Sequence, residues 1–231
     1  MVSQLESSGI TYPDSDGKPV ADNTRQFRWI VVIQQNLEWL FADYPEVFVA
    51  GDLLWYPVEG NNKLCTAPDV MVALGRPKGD RGSYKQWEEN NMPPQVVFEI
   101  LSPSNTAVEM DKKLLFYDRH GVEEYYIYNP DTNELTGWQR TDGLLDAIEP
   151  IAGWVSPRLG IRFEPSVEPL QLYRPDGARF LSYSEIAQQA AAERQRAEAA
   201  EAALAEEQRR SQALADRLKA AGIDPIDLIN D

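Results

Sequence analysis

In NTRQFRWIVVIQQNLEWLF, residues 23–41, apolar side chains recur at helical spacing. Phe27, Ile30, Val31, Leu37 and Leu40, with Gln34 among them, fall close to one stripe. Asn23 stands where a cap belongs, and Pro45 bounds the helix expected here. The period then changes. VFVAGDLLWYPV (47–58) and TAPDVMVAL (66–74) are rich in β-branched and aromatic residues and bounded by Gly, Pro and Asn, so both read as strands. GRPKGDRGSYKQWEENNMPP (75–94) reads as a long polar loop with room for a short helical turn, and loops of that length commonly carry function. A strand over 95–101, a helix from Ala107 to Arg119, the strand EEYYIYNP (123–130) and a hairpin turning at 141–143 complete the pattern. Helix, strands, helix, strands predicts an α/β domain with a mixed central sheet flanked by helices.

The second helix is the best punctuated. Thr106 and Glu109 match a capping box, and His120 with Gly121 supplies the stop. At about 100° per residue, Met110, Leu114 and Tyr117 form its buried stripe. Lys113 falls on that same side, whereas Lys112 points nearly opposite. Lys113 is therefore directed at the sheet, where it needs a carboxylate partner or a task.

Such a carboxylate sits inside an apolar run. Glu99 lies within QVVFEIL, although an isolated buried carboxylate costs several kcal/mol unless it is paired or holds a metal. Asp69 follows Pro68 at the head of another apolar strand. Two adjacent strands carrying Asp69 and Glu99 can converge on one hard cation, and a lysine ammonium nearby can hold water or offset charge developing on a phosphate. That is the general plan of metal-dependent phosphodiester hydrolysis. The simpler accounts are a turn-capping Asp69 and a structural Glu99–Lys113 ion pair without metal. Asp52, in VAGDLLWY, reads as a turn residue or as a third acidic ligand. Glu109 reads as a capping residue within reach of Lys113.

PDVMVAL, VVFEILSPSN, KLLFY and GVEEYYIYNP, in that order, resemble the Uma family of bacterial endonucleases, assigned to the PD-(D/E)XK nuclease superfamily. The resemblance covers about Asn23 to Arg179. It implies a restriction-endonuclease-like core, DNA as substrate and Mg²⁺, with Mn²⁺ as a substitute. Asp69 and Glu99 match the two acids of the motif, and the carbonyl of Ile100 would complete the metal ligands. The superfamily pattern has a lysine two residues after the glutamate, where this chain has Leu101. The resemblance implies that Lys113 has taken over that role from the following helix.

Composition narrows the picture. A net charge of −15 argues against broad adhesion to nucleic acid, because phosphate binding needs clustered Lys and Arg. One such cluster exists: Arg76, Lys78, Arg81 and Lys85 on the long loop, either a solvated loop or a phosphate-contacting flap. The single Cys65 excludes an intramolecular disulfide and makes zinc improbable. His120, the only histidine, reads as a helix end, so a catalytic triad finds no support. Neither GxxxxGK[ST] nor GxGxxG occurs. Residues 1–9 are polar and no apolar run can span a bilayer, so a cytoplasmic protein is expected.

Residues 1–22 read as an extended arm and residues 23–180 as the nuclease-like domain. Residues 181–231 read as a helical tail. Leu181, Ser182, Glu185 and Ile186 combine a capping box with a hydrophobic staple, so a helix is expected from Tyr183 to near Gly222, with Pro225 beyond it. Ala197, Ala200, Leu204, Ser211, Leu214 and Leu218 follow heptad steps, broken at Glu207. A weak coiled coil, a helix packed on a partner subunit and a solvated helix all fit. A homodimer built partly through residues 183–221 is expected. The alternative to an enzyme is a catalytically silent binding module of the same fold that assembles through this tail.

Overall fold

The computed structural model describes residues 10–15, 17 and 19–221. The chain divides between Phe180 and Leu181 into two compact units. The first unit opens with helix α1 (Thr24–Leu40), whose N-cap Asn23 accepts from the backbone N–H groups of Arg25 and Gln26. Strands β1 (Val47–Gly51), β2 (Trp55–Tyr56), β3 (Val70–Leu74), β4 (Tyr84–Lys85) and β5 (Val96–Ile100) follow, with a 3-10 turn at Gln86–Glu89 in the polar loop. Helix α2 (Ala107–Arg119) leads to β6 (Glu124–Asn129) and the hairpin β7 (Glu134–Thr141) and β8 (Leu144–Ala147). A second hairpin, β9 (Arg162–Glu164) and β10 (Gln171–Tyr173), closes the unit.

Six strands form one sheet in the order β1-β3-β5-β6-β7-β8. β5 and β6 run parallel, joined through α2, and the other pairs are antiparallel. This is the mixed α/β architecture that the pattern predicts. Because side chains alternate along a strand, each strand feeds two cores. Val70, Val72, Phe98, Ile100 and Tyr126 pack with Ile30, Ile33 and Leu37 of α1 and with Phe163 and Leu172 of the second hairpin. Met71, Ala73, Val97, Tyr125 and Ile127 pack on the opposite face with Trp55, Tyr84 and Tyr117 of α2. Each large side chain so buried contributes about 1.5–3 kcal/mol before chain entropy is subtracted.

Three expectations shift. First, α1 is rotated relative to the expected stripe: it buries Gln26, Ile30, Ile33, Asn36 and Leu37, while Phe27 is 49% and Val31 38% exposed. Polar Gln26 and Asn36 can face inward because their amides find partners, Asn36 donating to the Val32 carbonyl at 2.7 Å. Second, residues 47–58 do not form one strand. The chain breaks at Asp52, whose φ of 48° lies in the left-handed region that ends an extended run. Third, the arm lies on the domain in its described part. Tyr12 packs against Tyr56 and Trp87 at 5.2 and 4.9 Å between ring centroids, and Tyr56 donates to the Pro13 carbonyl at 2.8 Å.

The second unit contains helix α3 (Tyr183–Ala220), begun by the expected capping box of Ser182 and Glu185. Its 38 residues give about 57 Å of helix. The Gly222 and Pro225 stop signals lie outside the described residues. Among the described residues, no helix is long and apolar enough to cross a membrane.

Candidate active site

β3 and β5 pair with Val70 opposite Phe98 and Met71 opposite Val97. Continued by one residue, that register sets Asp69 opposite Glu99. Strand alternation puts both on the α2 face, since Met71 and Val97, two residues along, belong to that core. Both acids are buried, Glu99 at 2% and Asp69 at 8% exposure. From α2, Lys113 reaches Glu99 with Nζ 2.7 Å from Oε2, and the Tyr117 hydroxyl donates to Oε1. Lys113 and Tyr117 are one helical turn apart, so a single helix face holds both oxygens of one carboxylate. The Ile100 backbone N–H donates to Asp69 Oδ2 at 2.6 Å.

Asp69, Glu99 and Lys113 line one cavity of about 450 Å³, together with Asp52, Ile100, Glu109 and, from the N-terminal side, Asp22 and Gln26. Lys112 is exposed on the far side of α2, as its helical phase requires. Asp52 enters through its turn: its N–H donates to the carbonyls of Pro68 and Asp69 at 3.1 and 3.2 Å. Glu109 sits in the first turn of α2, with its N–H on the Thr106 hydroxyl at 3.2 Å.

The electrostatics follow from this packing. Burial, then the facing Glu99, pushes the Asp69 carboxyl well above the usual carboxylate range; Asp52 adds to the rise, while the Ile100 N–H and Lys113 oppose it. Burial disfavours the Lys113 ammonium, but Glu99, Asp69 and Glu109 outweigh that and hold its pKa above the ordinary lysine value. Lys113 is therefore a cation and a hydrogen-bond donor at neutral pH. Burial and Glu99 also raise Tyr117 well above its usual value. One lysine against two facing acids leaves the cavity electronegative. Among the described residues no group of three or more His, Cys, Asp or Glu side chains stands ready as a metal cage. The donors present are two carboxylates and the Ile100 carbonyl, hard oxygens of the kind that Mg²⁺ or Mn²⁺ takes. Asp69, pressed against a second acid with a raised proton affinity, is the group that a divalent cation would relieve.

The basic loop is not brought to this cavity. Arg76 and Arg81 both grip Glu89, at 2.9 and 2.6 Å, Lys78 pairs with Glu38 at 2.8 Å, and Lys85 lies 3.4 Å from Glu88. Lys78, Arg81 and Lys85 thus do not line the cavity as a phosphate-contacting flap. Glu88 and Glu89 of the loop and Glu38 of α1 pair with these cations. Three contributors were not expected as functional residues: Tyr117, Gln26 and Asp22. Tyr117 carries a readable signal, being four residues after Lys113 on the same face. Gln26 is readable only once α1 is correctly phased. Asp22 accepts from the Ser102 hydroxyl at 2.6 Å and from Ser104, contacts between distant segments that no local pattern encodes.

The first unit is thus a mixed α/β domain that sets two facing acids on neighbouring strands, with a lysine on the helix behind them. The chain belongs to the Uma2 family, described as "Putative restriction endonuclease", which matches residues 4–157. That match takes in most of the arm and all of the candidate site and stops before the tail. Among solved structures, the chain is similar to "a putative nuclease belonging to DUF820" from Anabaena variabilis, at 16% identity. The alignment covers 62% of this chain and 77% of that one, with a TM-score of 0.47. No match to a curated protein is found.

Proposed function

We propose that this chain is a metal-dependent endonuclease hydrolysing DNA phosphodiester bonds, with Asp69, Glu99 and Lys113 as its catalytic residues. The observation that carries the reading is the facing pair Asp69 and Glu99, buried in one cavity with the Lys113 ammonium as counter-charge. Asp69, Glu99 and the Ile100 carbonyl would hold the divalent cation, and Asp52, which lines the same cavity, is a further candidate ligand. Mg²⁺ or Mn²⁺ bound there supplies Lewis-acid polarisation of the phosphate ester. Lys113, protonated across the physiological range, donates hydrogen bonds to the attacking water or to a phosphate oxygen; it does not act as a base. Tyr117 fixes the Glu99 carboxylate in a dry environment, where electrostatic effects are strongest.

In this reading the protein works in the cytoplasm as a homodimer, with residues 183–221 contributing to the contact. Two active sites related by a two-fold axis suit the two strands of a duplex.

The test is titration with Mg²⁺ or Mn²⁺ followed by calorimetry and by nicking of supercoiled DNA, on wild type and on Glu99→Gln. The wild type binds metal and nicks DNA, and Glu99→Gln does neither while staying folded. One observation favours a second reading, a silent binding module: both Glu99 oxygens are already engaged by Lys113 and Tyr117, as in a purely structural pair. A wild type that cleaves no DNA or RNA in either metal across a broad substrate panel selects it.

A further inference from the structure

Gln26 is the feature that this mechanism leaves unused. It is 6% exposed, on the inward side of α1, and it lines the cavity that holds Asp69 and Glu99. Its side-chain carbonyl accepts the backbone N–H of Asp22 at 2.8 Å, and its Nε2 donates to the Ile100 carbonyl at 2.8 Å. The amide orientation is fixed, because reversing it would set donor against donor and acceptor against acceptor. Asp22 in turn receives the hydroxyls of Ser102 and Ser104, in the turn that leaves β5. A chain of hydrogen bonds therefore runs from that turn through Asp22 and Gln26 to the carbonyl at the end of β5.

We infer that Gln26 is a positioning residue of the metal centre, holding the Ile100 carbonyl aimed into the cavity. This rests on the reading that the cavity binds a divalent cation. A peptide carbonyl at the end of a strand can tilt by several tenths of an ångström, and a hard cation tolerates such misplacement poorly. Gln26 occupies one lone pair of the Ile100 oxygen and leaves the second for the ion. Because both partners of Gln26 are backbone groups, a structural role alone accounts for lost stability when the amide is removed, but not for a change in metal affinity. The same chain of bonds makes the arm part of the site: the segment ending at Asp22 sets the Gln26 amide, which sets the carbonyl.

The experiment uses the full-length protein, with Mn²⁺ binding by calorimetry and thermal melting in chelator. Gln26→Met keeps the volume and removes the donor, so Mn²⁺ binding weakens about tenfold, the loss expected for one aligned hydrogen bond. Gln26→Glu keeps the acceptor for the Asp22 N–H and places a third acid beside the Ile100 carbonyl. It melts lower than wild type in chelator, binds Mn²⁺ more tightly, and recovers more of its stability on adding the metal. A merely structural glutamine predicts lower melting for both variants with the Mn²⁺ affinity of Gln26→Met unchanged, and that result overturns the inference. If Gln26→Met fails to fold, Gln26→Leu, which also removes the donor to the Ile100 carbonyl, takes its place, and unchanged affinity again overturns the inference. Glu99→Gln separates the two levels. If it binds Mn²⁺ as wild type does, or if neither binds, the metal reading fails and this inference falls with it. If it loses Mn²⁺ while Gln26→Met does not, only the role of Gln26 is refuted.

Discussion

Replacing Lys113 by Met removes the cation that faces Asp69 and Glu99 while keeping most of the aliphatic length. Breaking a buried ion pair from one side costs about 3–5 kcal/mol when the remaining charge is fully enclosed. Lys113 is 22% exposed, and Tyr117 still donates to Glu99 in the variant, so the cost falls to the bottom of that range or just below it, about 2–3 kcal/mol. For a unit of this size each kcal/mol shifts the melting point by about 2–4 °C, so the variant should melt about 5–10 °C below wild type at pH 8. The difference depends on pH with a definite sign. Asp69 already has a folded pKa above its unfolded value, and losing Lys113 raises it further. A group shifted upward contributes stability that is fully present below the unfolded carboxylate value and is lost as pH rises through the folded value. Wild type and variant therefore converge towards pH 4 and separate between that pH and 8. Calorimetric melting of both proteins in chelator, from pH 4 to 8.5, measures this directly. A gap at pH 8 below about 1 °C, or one that does not change with pH, refutes the account of Lys113 as the neutralising partner of a buried acid pair.

Two further outcomes follow from the same geometry. Asp69→Asn retains an acceptor for the Ile100 N–H and removes the ionised, desolvated carboxyl, so in chelator at pH 8 it melts above wild type, loses that advantage as pH falls, and gains no stability from Mg²⁺; melting with and without the metal checks all three. If residues 183–231 carry the proposed dimer contact through the small and leucine side chains on one stripe of α3, deleting them leaves the first unit folded and its cavity intact but weakens self-association. Sedimentation at several concentrations tests this, and a full-length chain that stays monomeric well into the micromolar range removes that role.

Much of the candidate site's geometry was legible because it is written in local sequence. Carboxylates inside the apolar runs 69–74 and 95–101 single out Asp69 and Glu99, and the β3–β5 register then puts them on one face. The helical phase of 107–119 separates Lys113 from Lys112. Tyr183 to Ala220 is bounded by a capping box that can be read without any tertiary contact. What stayed hidden depends on contacts between distant segments. The inward face of α1 could not be phased from hydropathy, because it buries two amides whose partners are set by tertiary structure. The strand break at Asp52 needed the left-handed backbone, which no composition rule demands of an aspartate. β9 and β10 are three residues each, too short for a period to emerge. The basic loop could not be resolved for a related reason: charge counted along the chain does not say where each charge finds its counter-ion, and Glu38 lies 40 positions from Lys78.

One alignment, Val70 against Phe98, does two things at once. It fills both cores, and it brings the two acids face to face. Slipping β5 by one residue would turn Glu99 into the oily layer under α1 and push Phe98 and Ile100 towards α2, so the error would be rejected by packing before it could be felt in chemistry. A half-assembled copy of this chain is therefore not a weaker version of the finished one; it has no centre at all. If the domain cuts DNA, the molecule is unarmed until its sheet is complete, and a newly made or damaged copy poses no threat to the genome around it.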